Sequence, residues 1–247
     1  MRAMILAAGM GTRLRPLTGD RPKALVEING RTLLEITLAR LQTFGVSEVI
    51  VNVHHFADMI VNYLAAKQNF GMRIEISRED VLLDTGGGLK QAAWFVLEDA
   101  RDEPFLLHNV DVLSTIDLSR MVQLHKENHA LATLAVQERQ SSRYLLFDQQ
   151  GEFCGRRFER ENRTELARSG QPLQPLAFCG IHVISPRLLR IMTEEGAFSI
   201  IETYLRLAQS QQGKLLAFRA DDYYWRDLGT IESLQQAGKK LTGLFLS

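Results

Sequence analysis

The feature that most restricts how this chain can fold is the alternation, through its first half, of short apolar runs with amphipathic helical patterns. Apolar runs at residues 3–8, 48–53 and 104–109 have the length of buried strands. Between the last two runs, apolar side chains within residues 56–64 recur at the offsets of one helix face. Strands that alternate with helices form largely parallel sheets. The sequence therefore predicts an α/β fold, a Rossmann-like mixed, mainly parallel sheet flanked by helices.

The second half of the chain carries a different pattern. Two short apolar runs flank the loop 148–151, which predicts a β-hairpin. The charged segment 156–174 is expected to be a second hairpin or a long surface excursion, and residues 177–184 return as a buried strand. A chain of 247 residues without an internal repeat or a linker-like stretch fits a single domain.

Composition excludes several classes of function. Lys and Arg total 29 and Asp and Glu also total 29, so the formal net charge is 0 and the general basic surface of a nucleic-acid-binding protein is absent. No run of about 18 apolar residues occurs, so no membrane span is predicted. Cys154 and Cys179 are too few for a disulfide framework. The N-terminal apolar run is too short for a secretion signal, and these features together predict a cytoplasmic protein without nucleic-acid or membrane partners.

The strongest local signal is a glycine-rich stretch directly after the first predicted strand. Gly9 and Gly11 permit a turn that points backbone N–H groups at an anion, and Arg13 and Arg15 supply positive charge suited to phosphate oxygens. Leu14 occupies the third glycine position of the dinucleotide fingerprint, and no Gly-Lys-Ser/Thr of a P-loop follows. The stretch predicts a phosphate-binding loop of another kind; the alternative is a tight turn that bears surface arginines.

Three further charged residues stand at positions that suit ligand binding. Asp111 and Asp227 each come at the carboxyl end of a predicted strand, which is the edge where open α/β sheets bind ligands. Lys23 follows Pro22, which restrains the chain around it. The alternatives are capping of a turn or helix by the aspartates and a solvated loop for the lysine.

The histidines give no signal of a metal site. His54 and His55 end the second predicted strand but lack partners at a ligand spacing. His108 stands inside an apolar run and is expected to be a hydrogen-bonded core residue.

Taken together, the motifs resemble the signature of the sugar-1-phosphate nucleotidylyltransferases. The similarity is carried by Leu-Ala-Ala-Gly-x-Gly-Thr-Arg-Leu-x-Pro-Leu-Thr at 6–18 and by Arg-Pro-Lys-Ala-Leu-Val at 21–26. It continues through residues 84–88, 109–111 and 225–230. The pattern is nearest to short, single-domain members, such as N-acetylmuramate-1-phosphate uridylyltransferase and the mannose- and heptose-1-phosphate guanylyltransferases.

The resemblance implies an activity and a domain plan. The activity is a Mg²⁺-dependent transfer of a nucleoside monophosphate from a nucleoside triphosphate, UTP or GTP, to a sugar 1-phosphate, with release of pyrophosphate. The plan is one nucleotidyltransferase domain over 1–247, with a nucleotide-binding half at 1–137, a sugar-phosphate-binding half at 138–247 and no C-terminal β-helix. A monomer or small homo-oligomer that makes nucleotide sugars for cell-wall or surface-glycan synthesis is expected. The alternatives are a cytidylyltransferase acting on a non-sugar alcohol phosphate and a non-catalytic nucleotide-sugar sensor of the same fold.

The resemblance also implies roles for individual residues. The expected catalytic residues are Arg13, Lys23 and Asp111, and the expected Mg²⁺ ligands are Asp111 and Asp227. The expected nucleotide contacts are Ala8, Gly9, Gly11, Thr12, Arg13, Lys23, Thr85, Gly86, Gly87 and Asn109. The expected sugar-phosphate contacts are Asn109, Glu138 and Gly180, with Arg156 as a further candidate. Val110 departs from the family, which commonly has glycine before the metal-binding aspartate, so the shape of the sugar pocket does not carry over.

Overall fold

The chain folds into a mixed set of strands and helices, and the structure, a computed structural model, describes residues 1–99 and 102–244. The strands are β1 (Arg2–Leu6), β2 (Glu27–Ile28), β3 (Arg31–Thr32), β4 (Glu48–Val53), β5 (Arg73–Arg78), β6 (Phe105–Asn109), β7 (Val112–Ser114), β8 (Ala132–Gln137), β9 (Arg143–Phe147), β10 (Phe153–Phe158), β11 (Arg163–Leu166), β12 (Gln174–Ile184), β13 (Leu215–Arg219) and β14 (Trp225–Asp227). The helices are α1 (Leu33–Thr43), α2 (Ala57–Ala66), α3 (Asp84–Gln91), α4 (Ala93–Leu97), α5 (Leu118–Glu127), α6 (Pro186–Ile191), α7 (Ile200–Gln209) and α8 (Ile231–Leu244). None of these helices is both long and apolar enough to cross a membrane.

The residues group into two compact units that are each built from separate parts of the chain. The first unit comprises Met1–Leu82, His108–Ile116 and the chain from Tyr223 onward. The second unit comprises Leu83–Leu107 and Asp117–Asp222. Strand β6 begins in the second unit and ends in the first. The predicted functional halves, which divide the chain after Gln137, are a different partition and stay a prediction.

A parallel sheet organises the first unit. Strand β1 pairs in parallel with β4, and β4 pairs in parallel with β5, so that Leu6, Asn52 and Ser77 lie side by side. The Val110 N–H donates to the Leu6 carbonyl at 3.1 Å, which places the residues after β6 beside the end of β1. The sheet centre is apolar, because Met4, Ile5 and most of β4 are fully buried. The carboxyl ends of these strands therefore share one edge.

Local sequence explains why α1 begins and ends where it does. The Thr32 hydroxyl accepts a hydrogen bond from the Glu35 N–H at 3.0 Å, which caps the first turn. Leu34, Leu38 and Leu41 are fully buried, as the helical spacing predicts. The helix ends before Gly45, whose φ of 74° is the left-handed conformation common after a helix C-terminus.

The second unit is built around the long strand β12. Its residues Gln174–Leu176 pair antiparallel with β9, and residues 177–184 pair antiparallel with β8, which in turn pairs in parallel with β13. A register shift between Phe178 and His182 allows this change of partner. Strands β9, β10 and β11 form two successive antiparallel pairs. The predicted hairpin and the second hairpin after it are therefore both present.

The predicted fold class, a mixed sheet with flanking helices, is confirmed, whereas several element boundaries differ from the prediction. The strand expected at residues 3–8 ends at Leu6. The apolar pattern predicts one helix from Leu89 to Leu97, but α3 ends before Ala92 and α4 begins after it. The aromatic run predicts a strand at 223–225, but the strand lies at 225–227, where its pairing with β7 fixes the register.

Candidate active site

The glycine loop after β1 contacts the segment that carries the predicted lysine. Gly11 has a φ of 62°, and its carbonyl accepts a hydrogen bond from the Thr18 hydroxyl at 2.8 Å. A Cβ atom added to Gly11 would lie 3.0 Å from Thr18 Cγ2 and 3.1 Å from Lys23 Cβ. Both the left-handed backbone and this close approach favour glycine at the position. The predicted residues Gly11 and Lys23 are therefore neighbours.

Lys23 and Asp111 form a partly dehydrated ion pair. The Lys23 ammonium group donates to Asp111 Oδ2, and the two side chains are only 11% and 16% exposed. Lys23 opens a short helical turn directly after Pro22, and Asp111 lies between the ends of β6 and β7. The pairing offsets part of the free energy that burial of each charge alone would cost.

Asp227 lies on the strand next to Asp111 and faces Arg13. In the pairing of β14 with β7, Asp227 stands opposite Val112, and the Leu228 N–H donates to the Asp111 carbonyl at 2.8 Å. Asp227 Oδ1 accepts a hydrogen bond from the Gly229 N–H at 2.8 Å and lies 3.8 Å from Arg13 Nη2. The first unit alone therefore brings together two carboxylates and two cations that are far apart in sequence.

The two aspartates have the chemistry of a Mg²⁺ site. Mg²⁺ prefers oxygen ligands and usually takes one or two carboxylates, water and substrate phosphates. Asp227 ends β14 and Asp111 directly precedes its partner strand β7, so the structure holds two carboxylates next to each other, which fits this pattern. The described residues contain no group of three or more His, Cys, Asp or Glu side chains placed to hold a metal. A metal ion here would therefore take its further oxygen ligands from water or from substrate phosphates.

The residues before Asp111 are held in the core. The Asn109 carbonyl accepts a hydrogen bond from His108 Nδ1 at 2.8 Å. The Val110 side chain is buried, and the Val110 carbonyl accepts from the Thr37 hydroxyl at 3.4 Å. Burial lowers the pKa of His108 to about 4, so the imidazole is neutral at pH 7. His108 is thus a buried core residue, as expected.

Sequence reasoning missed a buried polar pair at the carboxyl ends of β4 and β5. The Ala7 N–H donates to Asn52 Oδ1 at 2.7 Å, and Asn52 Nδ2 donates to Glu79 Oε1 at 2.6 Å. Asn52 and Glu79 are 2% and 4% exposed. The signal available in the sequence was an asparagine inside the apolar run Glu48–Val53, but its partners lie elsewhere in the chain.

In the second unit, the predicted base-binding glycines pack tightly against the chain before α7. The Gly86 and Gly87 N–H groups donate to the Phe198 carbonyl at 2.9 and 3.3 Å. A Cβ atom at Gly86 would lie 2.3 Å from the Phe198 ring, and one at Gly87 would lie 2.3 Å from the Gly196 carbonyl oxygen. The Thr85 hydroxyl accepts from the Ile200 N–H at 3.0 Å. Close packing therefore accounts for glycine at both positions.

Two of the predicted sugar-phosphate residues in the second unit, Glu138 and Arg156, have protein partners. The Glu138 side chain is exposed, and its Oε2 lies 3.3 Å from Arg219 Nη2. Gly180 has a φ of 74° and lies within the register shift of β12. Arg156 pairs with Glu165 and Glu202 at 2.6 and 2.7 Å. A cavity of about 430 Å³ in this unit, lined among others by Arg168 and Lys214, contains none of the predicted site residues.

Comparison with known proteins agrees with the motifs. The family model described as Nucleotidyl transferase matches residues 2–243. The N-acetylmuramate alpha-1-phosphate uridylyltransferase of Caulobacter vibrioides is 34% identical over 215 residues, which cover 83% of this chain and 84% of that protein. The UTP–glucose-1-phosphate uridylyltransferase of a Synechocystis strain is 30% identical over 96% of this chain, but the match spans 62% of that longer protein.

Solved structures share the fold. HddC from Yersinia pseudotuberculosis, complexed with GMP-PN, has a TM-score of 0.75 at 22% identity, over 97% of this chain and 99% of that one. A putative glucose-1-phosphate thymidylyltransferase from Bacillus anthracis has a TM-score of 0.80 at 18% identity, over 100% and 98%. The chain therefore belongs to the nucleotidyl transferase family, within which its motifs and its curated relatives place it among the sugar-1-phosphate nucleotidylyltransferases.

Proposed function

We propose that this protein transfers a nucleoside monophosphate from UTP or GTP to a sugar 1-phosphate and releases pyrophosphate, in a reaction that needs Mg²⁺. The observation that carries the proposal is the set of four charged side chains beside the glycine loop of the first unit. Lys23 pairs with Asp111, and Arg13 faces Asp227. Curated relatives that act on sugar 1-phosphates with UTP or a guanylyl donor support the substrate class.

The chemistry requires the neutralisation of negative charge. The attacking oxygen of a sugar 1-phosphate is already anionic, so the reaction needs no general base. It needs two anions held in line and stabilisation of the charge that develops at the α-phosphorus and on the leaving pyrophosphate. We propose that Lys23 contacts the α-phosphate or the incoming sugar phosphate. Arg13, whose side chain is 67% exposed, has the freedom to contact the β- and γ-phosphates.

Asp111 and Asp227 are the residues that would hold Mg²⁺. When bound, the ion supplies positive charge to phosphate oxygens without a proton transfer. The backbone N–H groups of Gly11 and Thr12 would contact the same phosphates as Arg13. Ala8 and Gly9 complete the proposed loop contacts.

The remaining substrate contacts are proposals that rest on the family resemblance. They are Thr85, Gly86 and Gly87 for the base, Asn109 for the ribose or sugar phosphate, and Glu138 and Gly180 for the sugar. Because the Gly86 and Gly87 N–H groups donate to Phe198, we expect their contribution to be a flat surface and carbonyl oxygens. We further propose a cytoplasmic enzyme of nucleotide-sugar synthesis, as a monomer or small homo-oligomer.

A non-catalytic sensor of the same fold is disfavoured, because it has no need for the complete set of Arg13, Lys23, Asp111 and Asp227. A cytidylyltransferase for a non-sugar alcohol phosphate would use the same charged residues. The two enzymes differ in the acceptor that they accept, so substrate selection decides between them.

The test is a pyrophosphate-release assay that crosses the four common nucleoside triphosphates with a panel of sugar 1-phosphates and alcohol phosphates. We expect turnover with UTP or GTP and a sugar 1-phosphate. Asp111→Asn and Asp227→Asn should each lower kcat by at least about 100-fold, while Asp58→Asn, on a surface helix, should not. Wild-type rates in both site variants would refute the assignment, and turnover only with CTP and an alcohol phosphate would establish the alternative.

A further inference from the structure

The hydrogen-bonded chain from Ala7 through Asn52 to Glu79 lies directly before the glycine loop. Ala7 is the first residue after β1, and its N–H donates to Asn52 Oδ1 at 2.7 Å. The same amide donates through Nδ2 to Glu79 Oε1 at 2.6 Å. One side chain therefore uses its acceptor and its donor to tie the ends of three neighbouring strands together.

Sheet formation alone does not require a polar residue at this position. The neighbouring β4 residues Ile50, Val51 and Val53 are apolar and fully buried, and Asn52 is buried beside them. The backbone pairing of β4 with β1 and β5 continues through Asn52 whatever its side chain. A buried amide that lacks hydrogen-bond partners destabilises the fold. The Asn52 side chain is therefore tolerated at this buried position because it makes both hydrogen bonds. The additional effect of the Asn52 side chain is to hold the Ala7 peptide in place through its hydrogen bond.

The position of the Ala7 peptide fixes where the next residues begin. Gly9 lies two residues further on, and a Cβ added there would meet nothing within 4 Å, so side-chain packing does not restrain Gly9 itself. Gly11 is held by Thr18 at the far end of the loop. Together with the bond from the Val110 N–H to the Leu6 carbonyl, Asn52 therefore restrains the near end of the segment that contacts the phosphates in the proposed function.

We propose that Asn52 is a positioning residue for nucleoside triphosphate binding, which acts by fixing the Ala7 peptide relative to the Glu79 carboxylate. The proposal rests on the proposed function and deepens it. Asn52 affects the binding of the nucleotide and not of the sugar phosphate, because its hydrogen-bond partners lie at the ends of β1 and β5, beside the loop. Its loss should therefore weaken triphosphate affinity and leave the KM for the sugar phosphate unchanged.

The key variant is Asn52→Asp, which keeps the size of the side chain and an acceptor for the Ala7 N–H but replaces the donor to Glu79 by a carboxylate oxygen. The double variant Asn52→Asp/Glu79→Gln restores complementarity with the donor and acceptor exchanged. The single variant Glu79→Gln completes the cycle and retains an amide oxygen as acceptor. Asn128→Asp is the matched control, because Asn128 donates to the Leu124 carbonyl at the end of α5, in the second unit.

The measurements are the dissociation constants of UTP and GTP with Mg²⁺ at pH 8, the KM for the sugar phosphate, and the thermal midpoint Tm. We expect Asn52→Asp to weaken binding of the accepted triphosphate by about tenfold or more, since a hydrogen bond to a charged group is lost and like charges are opposed. The double variant should recover affinity to within about threefold of wild type, and the control should match wild type.

Three results would overturn the inference. One is a fall in Tm in Asn52→Asp without a change in triphosphate affinity, which would show a purely structural role. Another is recovery of Tm but not of affinity in the double variant, which would assign the effect to the Glu79 charge itself. The third is an equal change in the sugar-phosphate KM. If the single variant fails to fold, the double variant still tests the proposal through its predicted affinity. A wild-type protein that binds no nucleoside triphosphate would instead refute the proposed function.

Discussion

Two buried histidines, His108 and His125, make the free energy of unfolding of this protein depend on pH between neutrality and about pH 5. This pH range lies above the ordinary pKa values of carboxylates. Burial lowers the pKa of each from 6.5 to about 4. His108 Nδ1 donates to the Asn109 carbonyl, and its buried Nε2 has no hydrogen-bond partner among the described residues. A proton on Nε2 would therefore be buried without an acceptor, which explains the direction of the shift.

The direction of the pH dependence follows from the number of protons that the native and unfolded chains bind. As the pH falls below about 6.5, the unfolded chain binds a proton at each histidine that the native chain does not, so the free energy of unfolding decreases. The contribution is fully present above about pH 6.5 and is lost as the pH falls towards about 4. At pH 5 the effect of each histidine lowers the free energy of unfolding by about 2 kcal/mol relative to neutral pH, and the two histidines together lower it by about 4 kcal/mol. That is a large share of the total stability of an ordinary domain, which is about 5–15 kcal/mol.

The assay is urea unfolding of the wild type, of His108→Leu and of His125→Leu at a series of pH values from neutral to about pH 5. Leucine removes the titrating group and keeps the site filled, so each single variant should lose about 2 kcal/mol over the series where the wild type loses about 4 kcal/mol. The double variant should show almost no loss, because both groups with a lowered pKa are then removed. A wild-type free energy of unfolding that stays constant down to pH 5 would refute the reasoning, as would single variants that retain the full loss.

Three further predictions concern the site and the glycines. Lys23→Gln should lower kcat for pyrophosphate release by at least about 100-fold with a small change in Tm, whereas Lys67→Gln should not change kcat; similar rates in both variants would argue against a catalytic Lys23. Gly87→Ala should lower stability by about 1–3 kcal/mol in urea unfolding, because the added Cβ would lie 2.3 Å from the Gly196 carbonyl oxygen, while Gly9→Ala has open space and should leave stability unchanged. Treatment with EDTA should abolish turnover, excess Mg²⁺ should restore it, and Tm without substrate should stay the same; full activity in EDTA would contradict the metal role of the aspartates.

The parts of the fold that were predictable are those in which one short stretch carries the whole signal. The strand at 48–53 was predicted with the residues it occupies, because the apolar run is bounded by Gly45 before it and a histidine pair after it. Helix α1 was predictable for the same reason, because Leu34, Leu38 and Leu41 fall on one helical stripe and Gly45 follows as a stop signal. The strand before Asp227 was predicted two residues early, since the aromatic run from Tyr223 carries the local signal while its pairing with β7 fixes the register.

The candidate site was predictable to the extent that each residue stands in a local motif. The motifs, through their resemblance to the family, indicated Arg13, Lys23, Asp111 and Asp227, and the structure brings these four side chains together in the first unit. The link from Asn52 to Glu79 was not predictable, because it joins side chains 27 positions apart that share no motif. The use of the Gly86 and Gly87 N–H groups by Phe198 likewise depends on residues more than a hundred positions away.

The arrangement of the four charged side chains in the candidate site explains how a chain with a formal net charge of zero can bind polyanionic substrates. Lys23 and Arg13 each lie beside a carboxylate, so the four side chains sum to zero charge, and Lys23, the buried one of the two cations, is not buried alone. A divalent cation that engages Asp111 and Asp227 would turn this balance into an excess of two positive charges, available to phosphate oxygens. Binding of the metal ion and of the triphosphate must then be coupled, and by linkage each raises the affinity of the other by the same factor. The apparent Mg²⁺ affinity should therefore increase when triphosphate is present, and an affinity independent of nucleotide would show that the two carboxylates do not act on the substrate through the metal.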